Sequence, residues 1–254
     1  MQKKVEFLIC GTQKGGTTAL HQYLLQHPNL FLPNKKELHF FDDECLAWKK
    51  SGKLSGFRPY RKYHDEFKEG KQQVLWGEAT PIYMYWNSAP KRIAQYNRNM
   101  KIIISLRNPI SRAYAHWNME LNRGQESMQF LDAIHKEESE RIKFPNIQHR
   151  VFSYIDRGKY ANQIRKLSEL FSSENLLVLK HDDLLNSPQS LLARVWDFLG
   201  VEHIDLKENI VAHQGKYNTL MSEEALRYLK KIFYLEIKSL ESMVNWDCSD
   251  WLEG

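Results

Sequence analysis

The stretch VEFLICGTQKGGTT, residues 5–18, decides the fold. Its first part is a short, mostly apolar run that stops at a glycine, which is the pattern of a buried strand. Two consecutive glycines then precede two threonines, and apolar or aromatic side chains recur at helical spacing until Pro28 ends the pattern. The sequence therefore predicts a strand, a glycine-rich loop and a helix in that order.

This loop has the chemistry of a phosphate site. Glycines let the backbone turn sharply and bring its N–H groups against an anion, and a helix N-terminus adds free donors and a partial positive charge. A lysine supplies a mobile cation, and threonine hydroxyls add donors. The sequence predicts that the following residues form a P-loop-like phosphate-binding loop: Gln13, Lys14, Gly15, Gly16, Thr17 and Thr18. A plain glycine-rich turn beside an exposed lysine is the alternative interpretation.

The loop does not have the order of residues that nucleotide triphosphatases use. Their loop places lysine directly before serine or threonine, whereas Gly16 occupies that position here and Lys14 precedes both glycines. An ATP- or GTP-dependent kinase would also need an aspartate at a strand end to hold magnesium, and none of the predicted strands ends in one. A kinase built on a related loop is therefore kept only as an alternative.

Short apolar runs alternate with helical patterns along the rest of the chain. The predicted strands cover residues 74–76, 101–106 and 176–179, and the predicted helices cover 113–121, 161–171 and 188–199, with a late helix that opens at 222–224. This alternation predicts an α/β fold: a single domain, residues 1–254, with a central, mainly parallel sheet flanked by helices. Such folds bind ligands beyond the carboxyl ends of the strands. Residues 49–73 and 125–157 are predicted to be long or irregular insertions.

Composition excludes several classes of protein. The chain has 254 residues, of which 42% are hydrophobic and 26% charged, so collagen-like, disordered and disulfide-scaffold chains are excluded. The net charge of +5 suits an anionic ligand but is too small to indicate nucleic acid binding. The three cysteines are far apart, which predicts neither a zinc site nor a disulfide framework. No apolar run approaches the roughly 20 residues of a membrane span or resembles a signal peptide, so we expect a cytoplasmic protein.

A second anion site follows the predicted strand at residues 101–106. Arg107 stands at its end, and Ser111 follows four residues later at a predicted helix start. A guanidinium fork matches phosphate geometry, and a helix start favours an anion. Together with the strand–GxxKxGTT–helix order of residues 5–18, this pair resembles sulfotransferases that use 3′-phosphoadenosine 5′-phosphosulfate (PAPS). The glycine loop resembles their 5′-phosphosulfate loop, and the Arg–Ser pair resembles their grip on the 3′-phosphate.

Four further segments resemble the heparan-sulfate-type branch of that family and its bacterial relatives. They are PNKKELHFF at 33–41, GEATPIY at 77–83, GKYANQ at 158–163 and HQGKY at 213–217. The resemblance implies that the substrate is contacted by Glu78, Pro81 and Tyr83. It implies that a late loop closes over the nucleotide with Gly215, Lys216 and Tyr217. The chain departs from the pattern at Ala79, where many glycan-modifying relatives carry lysine, and in the late loop, where the basic residue follows the glycine.

The resemblance implies a PAPS-dependent sulfotransferase that needs no metal and releases adenosine 3′,5′-bisphosphate (PAP). Sulfuryl transfer, like phosphoryl transfer, depends on in-line positioning and on stabilisation of the leaving oxygen, a role that falls to Lys14. Glu37 is the expected general base for a hydroxyl or amine acceptor, and His39, placed in a predicted strand, is the alternative. As a general base, Glu37 would need burial to tune its pKa toward neutrality.

The acceptor stays open at this point. Basic residues after the first predicted helix suit an acidic glycan, whereas Asp42, Asp43 and Glu44 suit a cationic small molecule. We expect a saccharide or a small-molecule metabolite as the partner, and a bacterial enzyme that is a monomer or a homodimer. A non-catalytic nucleotide-binding relative of the fold is a further alternative, although the joint presence of Lys14 and Glu37 argues against it.

Overall fold

A computed structural model describes residues 3–43, 60–71, 74–144, 148–206, 210 and 220–253. The chain forms two compact units. The sheet unit comprises Met1–Thr12, Gly16–Ser105 and Lys166–Ala212, and the helix unit comprises Gln13–Gly15, Leu106–Arg165 and His213–Gly254. The prediction of one domain over residues 1–254 stays a prediction.

A five-stranded sheet forms the centre of the fold. Its strands are β1 (Phe7–Gly11), β2 (Leu30–Phe31), β3 (Leu75–Ala79), β4 (Lys101–Leu106) and β5 (Leu176–Lys180), in the order β2-β3-β1-β4-β5. Strand β1 pairs in parallel with β3 and β4, and β2 pairs in parallel with β3. This topology confirms the predicted α/β class with a parallel sheet.

The helices follow the strands along the chain. In the described ranges they are α1 (Thr17–Leu24), α2 (Tyr60–His64), α3 (Ala89–Tyr96), α4 (Pro109–Asn122), α5 (Phe130–Lys143), α6 (Tyr160–Ser168), α7 (His181–Asn186), α8 (Pro188–Leu199), α9 (Glu223–Val244) and α10 (Asp250–Glu253). Short 3₁₀ turns cover Asp65–Phe67, Asp156–Gly158 and Ser173–Asn175. Within these ranges no helix is both long and apolar enough to cross a membrane.

The core of the sheet unit explains why β1 is apolar throughout. All five of its residues are buried, as expected of a central parallel strand with no solvent on either face. Phe7 and Ile9 belong to one buried cluster with Leu20 and Leu24 of α1 and Trp196 of α8. The helical spacing that predicted α1 therefore marks the face that packs in this core.

In the helix unit, α9 presents one buried face. Its buried residues are Ala225, Leu229, Phe233, Ile237 and Leu240. The helix begins at Ser222, whose hydroxyl accepts a hydrogen bond from the Ala225 N–H, an N-cap that satisfies one of the free donors of the first turn. Three or four residues separate successive buried positions, which is the period of an amphipathic helix.

Several predicted elements are confirmed, some to the residue. Strand β4 and helix α8 have the predicted bounds, and Gly200 ends α8 with a φ of 74°, the left-handed backbone that favours glycine. Strand β3 is longer than predicted, and α4 extends beyond the predicted residues 113–121 at both ends.

Two predictions about irregular segments are wrong. Residues 125–157 contain α5, a helix of 14 residues. Its pattern is weak because charged residues dominate its sequence, so length and composition hid it. His39 lies in an irregular segment, because its φ of 52° does not suit a strand. Of the polar stretch 49–73, residues 49–59 and 72–73 lie outside the described residues.

A substitution at Gly77 tests the packing of β3 against β1. Gly77 pairs with Phe7, and a Cβ at Gly77 would lie 2.1 Å from Phe7 Cζ. We expect Gly77→Ala to lower the free energy of unfolding by about 1–3 kcal/mol, measured by chemical denaturation, because overpacking displaces the ring. Gly77→Ala combined with Phe7→Leu should lose less stability than the two single variants summed. Strictly additive losses would contradict this contact.

Candidate active site

In the sheet unit, the start of α1 leaves its first N–H groups without a side-chain cap. Gly16 has a φ of 80° and caps the helix, so it brings no side-chain acceptor to the first N–H groups. A Cβ at Gly16 would lie 2.6 Å from His181 Cδ2. Glycine is therefore required both for the backbone angle and for the close approach. Thr17 is buried and Thr18 is exposed, so the Thr18 hydroxyl is open to a ligand.

The loop lysine, Lys14, belongs to the helix unit together with Gln13 and Gly15. Lys14 has a φ of 70°, which is an unusual backbone for a side chain of this size. Gln13 and Lys14 are both half-buried. The Arg157 guanidinium donates a hydrogen bond to the Gln13 side-chain oxygen. Nothing in the sequence pattern indicated this contact, because the two residues are 144 positions apart.

The predicted 3′-phosphate residues lie at the start of α4, also in the helix unit. Arg107 and Ser111 are half-buried, and the Arg107 carbonyl accepts a hydrogen bond from the Tyr160 hydroxyl at 2.8 Å. Asn108 caps the helix, accepting from the N–H groups of Ile110 and Ser111 at 2.9 and 3.4 Å. Since those donors are already used, an anion here depends on the Arg107 guanidinium and the Ser111 hydroxyl more than on the helix N–H groups.

In the sheet unit, residues 36–42 form a chain of alternating charges. Lys36 donates to one Glu37 oxygen, and His39 Nε2 lies 3.6 Å from the other. His39 Nδ1 lies 2.9 Å from Asp42 Oδ2. Asp42 is fully buried, whereas Glu37 and His39 are about two-fifths exposed. Both proposed bases are thus accessible, and a buried carboxylate fixes the imidazole.

The charges of this chain set its protonation. The contact with His39, and then the Lys36 ammonium, outweigh burial and lower the pKa of Glu37 to about 2. The hydrogen bond with Asp42, and then the contact with Glu37, raise the pKa of His39 to about 9. At neutral pH Glu37 is therefore ionised and His39 protonated. Burial does not tune the Glu37 pKa toward neutrality, as the base role would need, because its two cationic neighbours dominate.

Backbone contacts hold this segment in an uncommon conformation. Glu37 and His39 have φ values of 63° and 52°. The Glu37 N–H donates to the Ala79 carbonyl at 2.9 Å. Arg92 donates to the carbonyls of Phe41 and Asp43 at 3.0 and 3.1 Å. Such left-handed angles persist only where surrounding contacts determine them.

Glu78 and Tyr83, predicted to contact substrate, lie beneath this segment. The Glu78 carboxylate accepts from the hydroxyls of Tyr63, Thr80 and Tyr83 at 2.7, 3.0 and 2.9 Å. The Tyr83 hydroxyl accepts from the Phe40 N–H at 2.9 Å. Burial raises the pKa of Glu78 to about 7, and the three hydroxyls oppose that rise. These contacts use most of the acceptor capacity of a carboxylate.

The remaining predicted residues divide between the described and undescribed parts of the chain. Pro81 is buried in the turn after β3. Gly215, Lys216 and Tyr217 lie outside the described residues. Among the residues that the structure describes, no group of three or more His, Cys, Asp or Glu side chains is arranged to hold a metal ion. Sequence reasoning missed Arg92 and Arg157, whose roles depend on long-range contacts. It named Asp42 only as part of an acidic run and not as the partner of His39.

A titration of His39 tests the charge chain. We expect its imidazole to titrate with a pKa near 9 by NMR and to move down toward the ordinary value in Asp42→Asn, which removes the hydrogen-bonded anion. The sign follows from the shift: stability from a raised pKa is present below the unfolded value and is lost as pH rises through the folded value. His149, whose pKa burial lowers, is the internal reference and should not move. A His39 pKa unchanged by Asp42→Asn would contradict the assignment.

Comparison with known proteins identifies a family and a similar solved structure. A family model described as "Sulfotransferase domain" matches residues 4–241. A crystal structure of a sulfotransferase from Alicyclobacillus acidocaldarius is similar with a TM-score of 0.84 at 26% identity, covering 98% of this chain and 99% of that one.

Two further relatives are matched over only part of their own length. Human heparan sulfate glucosamine 3-O-sulfotransferase 3B1 is 28% identical over 200 residues, 78% of this chain and 46% of that protein. The membrane-associated sulfotransferase kil1 of Dictyostelium discoideum is 22% identical over 320 residues, 95% of this chain and 65% of that protein. The chain therefore spans about half to two-thirds of the length of these relatives. The match over residues 4–241 confirms the resemblance found in the sequence, and the chain belongs to the sulfotransferase domain family.

Proposed function

We propose that this chain transfers a sulfuryl group from PAPS to a hydroxyl or amine of a saccharide or small-molecule acceptor and releases PAP. The observation that carries the proposal is the glycine-capped start of α1. There a φ of 80° and the close approach of His181 exclude any side chain at Gly16. A cradle of this kind fits a 5′-phosphosulfate. Family membership and the lysine order of the loop disfavour the kinase alternative.

The proposal assigns three groups of residues to the cofactor. The 5′-phosphosulfate is held by the loop residues Gln13, Lys14, Gly15, Gly16, Thr17 and Thr18, and the 3′-phosphate by Arg107 and Ser111. The late loop of Gly215, Lys216 and Tyr217 is assigned to closure over the nucleotide. PAPS supplies the activated sulfuryl group when bound. The ordinary preference of guanidinium and ammonium groups for phosphate oxygens supports each assignment.

Lys14 is proposed to act on the leaving oxygen. Negative charge grows on that oxygen in the transition state, so an ammonium beside it stabilises the transition state more than the ground state. The left-handed backbone of Lys14 supports this role, because strained angles of this kind persist at sites where a side chain must be aimed.

Glu37 is proposed as the base and His39 as its positioning residue. Glu37 is ionised at neutral pH, the form that accepts a proton, whereas His39 is protonated and has no free acceptor nitrogen. With a pKa near 2, Glu37 is a weak base while His39 and Lys36 both contact it. An acceptor hydroxyl that takes the place of Lys36 removes one of these two cations and raises the basicity of the carboxylate, while His39 stays in contact with it.

The acceptor, location and assembly are proposed more coarsely. An acidic saccharide is supported by the name of the human relative. It is also supported by Lys36 in residues 36–42, which carry the proposed base Glu37 and are called the base segment below. The proposal assigns Pro81, Glu78 and Tyr83 to binding of the acceptor. Glu78 and Tyr83 act indirectly, because Tyr83 holds the backbone of the segment that carries Glu37. We propose a bacterial, cytoplasmic enzyme; the match to the Alicyclobacillus protein over 98% of this chain supports the bacterial origin, whereas kil1 is described as membrane-associated. A monomer or homodimer is proposed.

Substitution of Lys14 tests the transfer step. With labelled PAPS and desulfated heparan oligosaccharide, we expect Lys14→Ala to lower turnover by about 10²–10³-fold, the usual effect of one transition-state donor, with an unchanged circular dichroism spectrum. Lys136→Ala is the matched control, because Lys136 is 56% exposed on α5, and it should keep full turnover. Near-normal turnover by Lys14→Ala would refute the role given to Lys14.

Substitution of Arg107 tests the nucleotide. We expect wild-type protein to show a rise in melting temperature with PAP in the absence of metal, since a ligand that binds only the folded state stabilises it. Arg107→Ala should weaken PAP binding by about ten- to a hundredfold and leave binding of adenosine 5′-phosphate within threefold. Equal weakening of both nucleotides would contradict the 3′-phosphate assignment. A shift only with ATP and magnesium would favour the kinase.

A further inference from the structure

One buried arginine outside the predicted site is attached to the phosphosulfate loop. Arg157 lies in the 3₁₀ turn Asp156–Gly158, directly before α6, and is 2% exposed. Its guanidinium donates to the Gln13 side-chain oxygen. It also donates to the carbonyls of His149 and Arg150 at 3.3 and 2.6 Å. His149, Arg150 and Gln13 all belong to the helix unit, as Arg157 does.

These contacts make the guanidinium a rigid fixture for the loop. A buried charge is costly unless hydrogen bonds satisfy it, and a planar guanidinium offers its donors in a fixed fork. The two backbone carbonyls therefore determine the plane of the group, and that plane determines where the Gln13 oxygen must lie. Gln13 is the neighbour of Lys14, whose φ of 70° needs surrounding contacts to hold it.

Arg157 also contributes charge to the surroundings of Lys14. Both cations act on the same two side chains of α4. They help to keep the pKa of the buried His116 below its ordinary value, after burial itself. They also oppose the rise that burial causes in the pKa of Glu120. His116 Nε2 lies 3.6 Å from Glu120 Oε1. Arg157 and Lys14 therefore act electrostatically on the same pair of α4 side chains.

The other buried acids of this unit are engaged elsewhere. Glu126 accepts from the Tyr154 hydroxyl at 2.8 Å and from the Ser127 and Met128 N–H groups. Glu137 accepts from the Ile155 and Asp156 N–H groups at 2.7 and 2.9 Å. Glu120 is therefore the buried acid of this unit on which Arg157 and Lys14 both act.

We propose that Arg157 is the positioning residue of the phosphosulfate loop: through its hydrogen bond to Gln13 it sets the loop backbone that carries Lys14. The inference rests on the proposed function, since it names what prepares the loop for PAPS. It assigns no direct contact between Arg157 and the ligand. The bond between two side chains is therefore the feature that a test must isolate.

A double-mutant cycle isolates that bond. The Kd for PAP is measured by calorimetry for wild type, Gln13→Ala, Arg157→Gln and the double variant, with melting temperatures of each without ligand. We expect each single variant to bind PAP roughly 10- to 100-fold more weakly, the effect of one charged hydrogen bond. We expect the double variant to bind no more weakly than Arg157→Gln alone, because the bond is lost only once. Multiplicative losses, or a PAP Kd within threefold of wild type in Arg157→Gln, would overturn the proposal.

Three further variants guard the interpretation. Arg157→Lys keeps the charge without the fork, so both its kcat and its PAP affinity should stay at least tenfold low; full recovery of either would overturn the positioning role. Arg123→Ala is the control, because Arg123 is 59% exposed and bonds Glu120; it should leave the PAP Kd within threefold. If Arg157→Gln does not fold, Gln13→Asn shortens the partner alone and should weaken PAP binding tenfold. Wild type that fails to bind PAP refutes the proposed function itself, whereas an additive cycle in PAP-binding protein refutes only the inference.

Discussion

The turn from β1 into α1 is the constraint on which the rest of the site depends. β1 is buried on both faces, so it fixes where the chain leaves the sheet, at the carboxyl edge that it shares with β3 and β4. The chain must then reverse direction within a few residues, and Lys14 and Gly16 do so with positive φ values. At the start of α1, Gly16 leaves the first N–H groups without a side-chain acceptor. An anion is the ligand that such an arrangement stabilises.

A second constraint governs the base segment. Glu37 and His39 adopt left-handed angles, which costs energy that the isolated segment does not recover. The Ala79 carbonyl, the Tyr83 hydroxyl and Arg92 hold the segment in place. Glu78 in turn fixes Tyr83 from below. A buried carboxylate therefore controls an exposed one without touching it, and the motif residues 77–83 serve the base segment as much as any substrate.

The extent to which sequence predicts this molecule follows the range of the interactions. Strand β4 and helix α8 were predictable to the residue because β-branched runs, Pro188 and Gly200 are local signals. Helix α5 was missed because its charged sequence gives only a weak apolar period. In the site, the loop glycines and Lys14 were recognisable from order alone, and the motifs supplied Glu37 and Arg107. The protonation state of Glu37 was not predictable, because it depends on how Lys36 and His39 are folded around it.

The contacts that sequence could not supply share one property: each joins residues far apart along the chain to a motif residue. Arg92 reaches Phe41, and Arg157 reaches Gln13. Both are arginines whose guanidinium planes are fixed by backbone carbonyls, and both lie outside the motif residues that they hold. Motifs record the groups that meet a ligand, whereas the strain of positive φ at Lys14, Glu37 and His39 has to be opposed by residues of the surrounding fold. A loop that carried the same motif without such arginines would keep the same functional groups but not their positions. Misplacement of about 1 Å is enough to cost a large part of the rate.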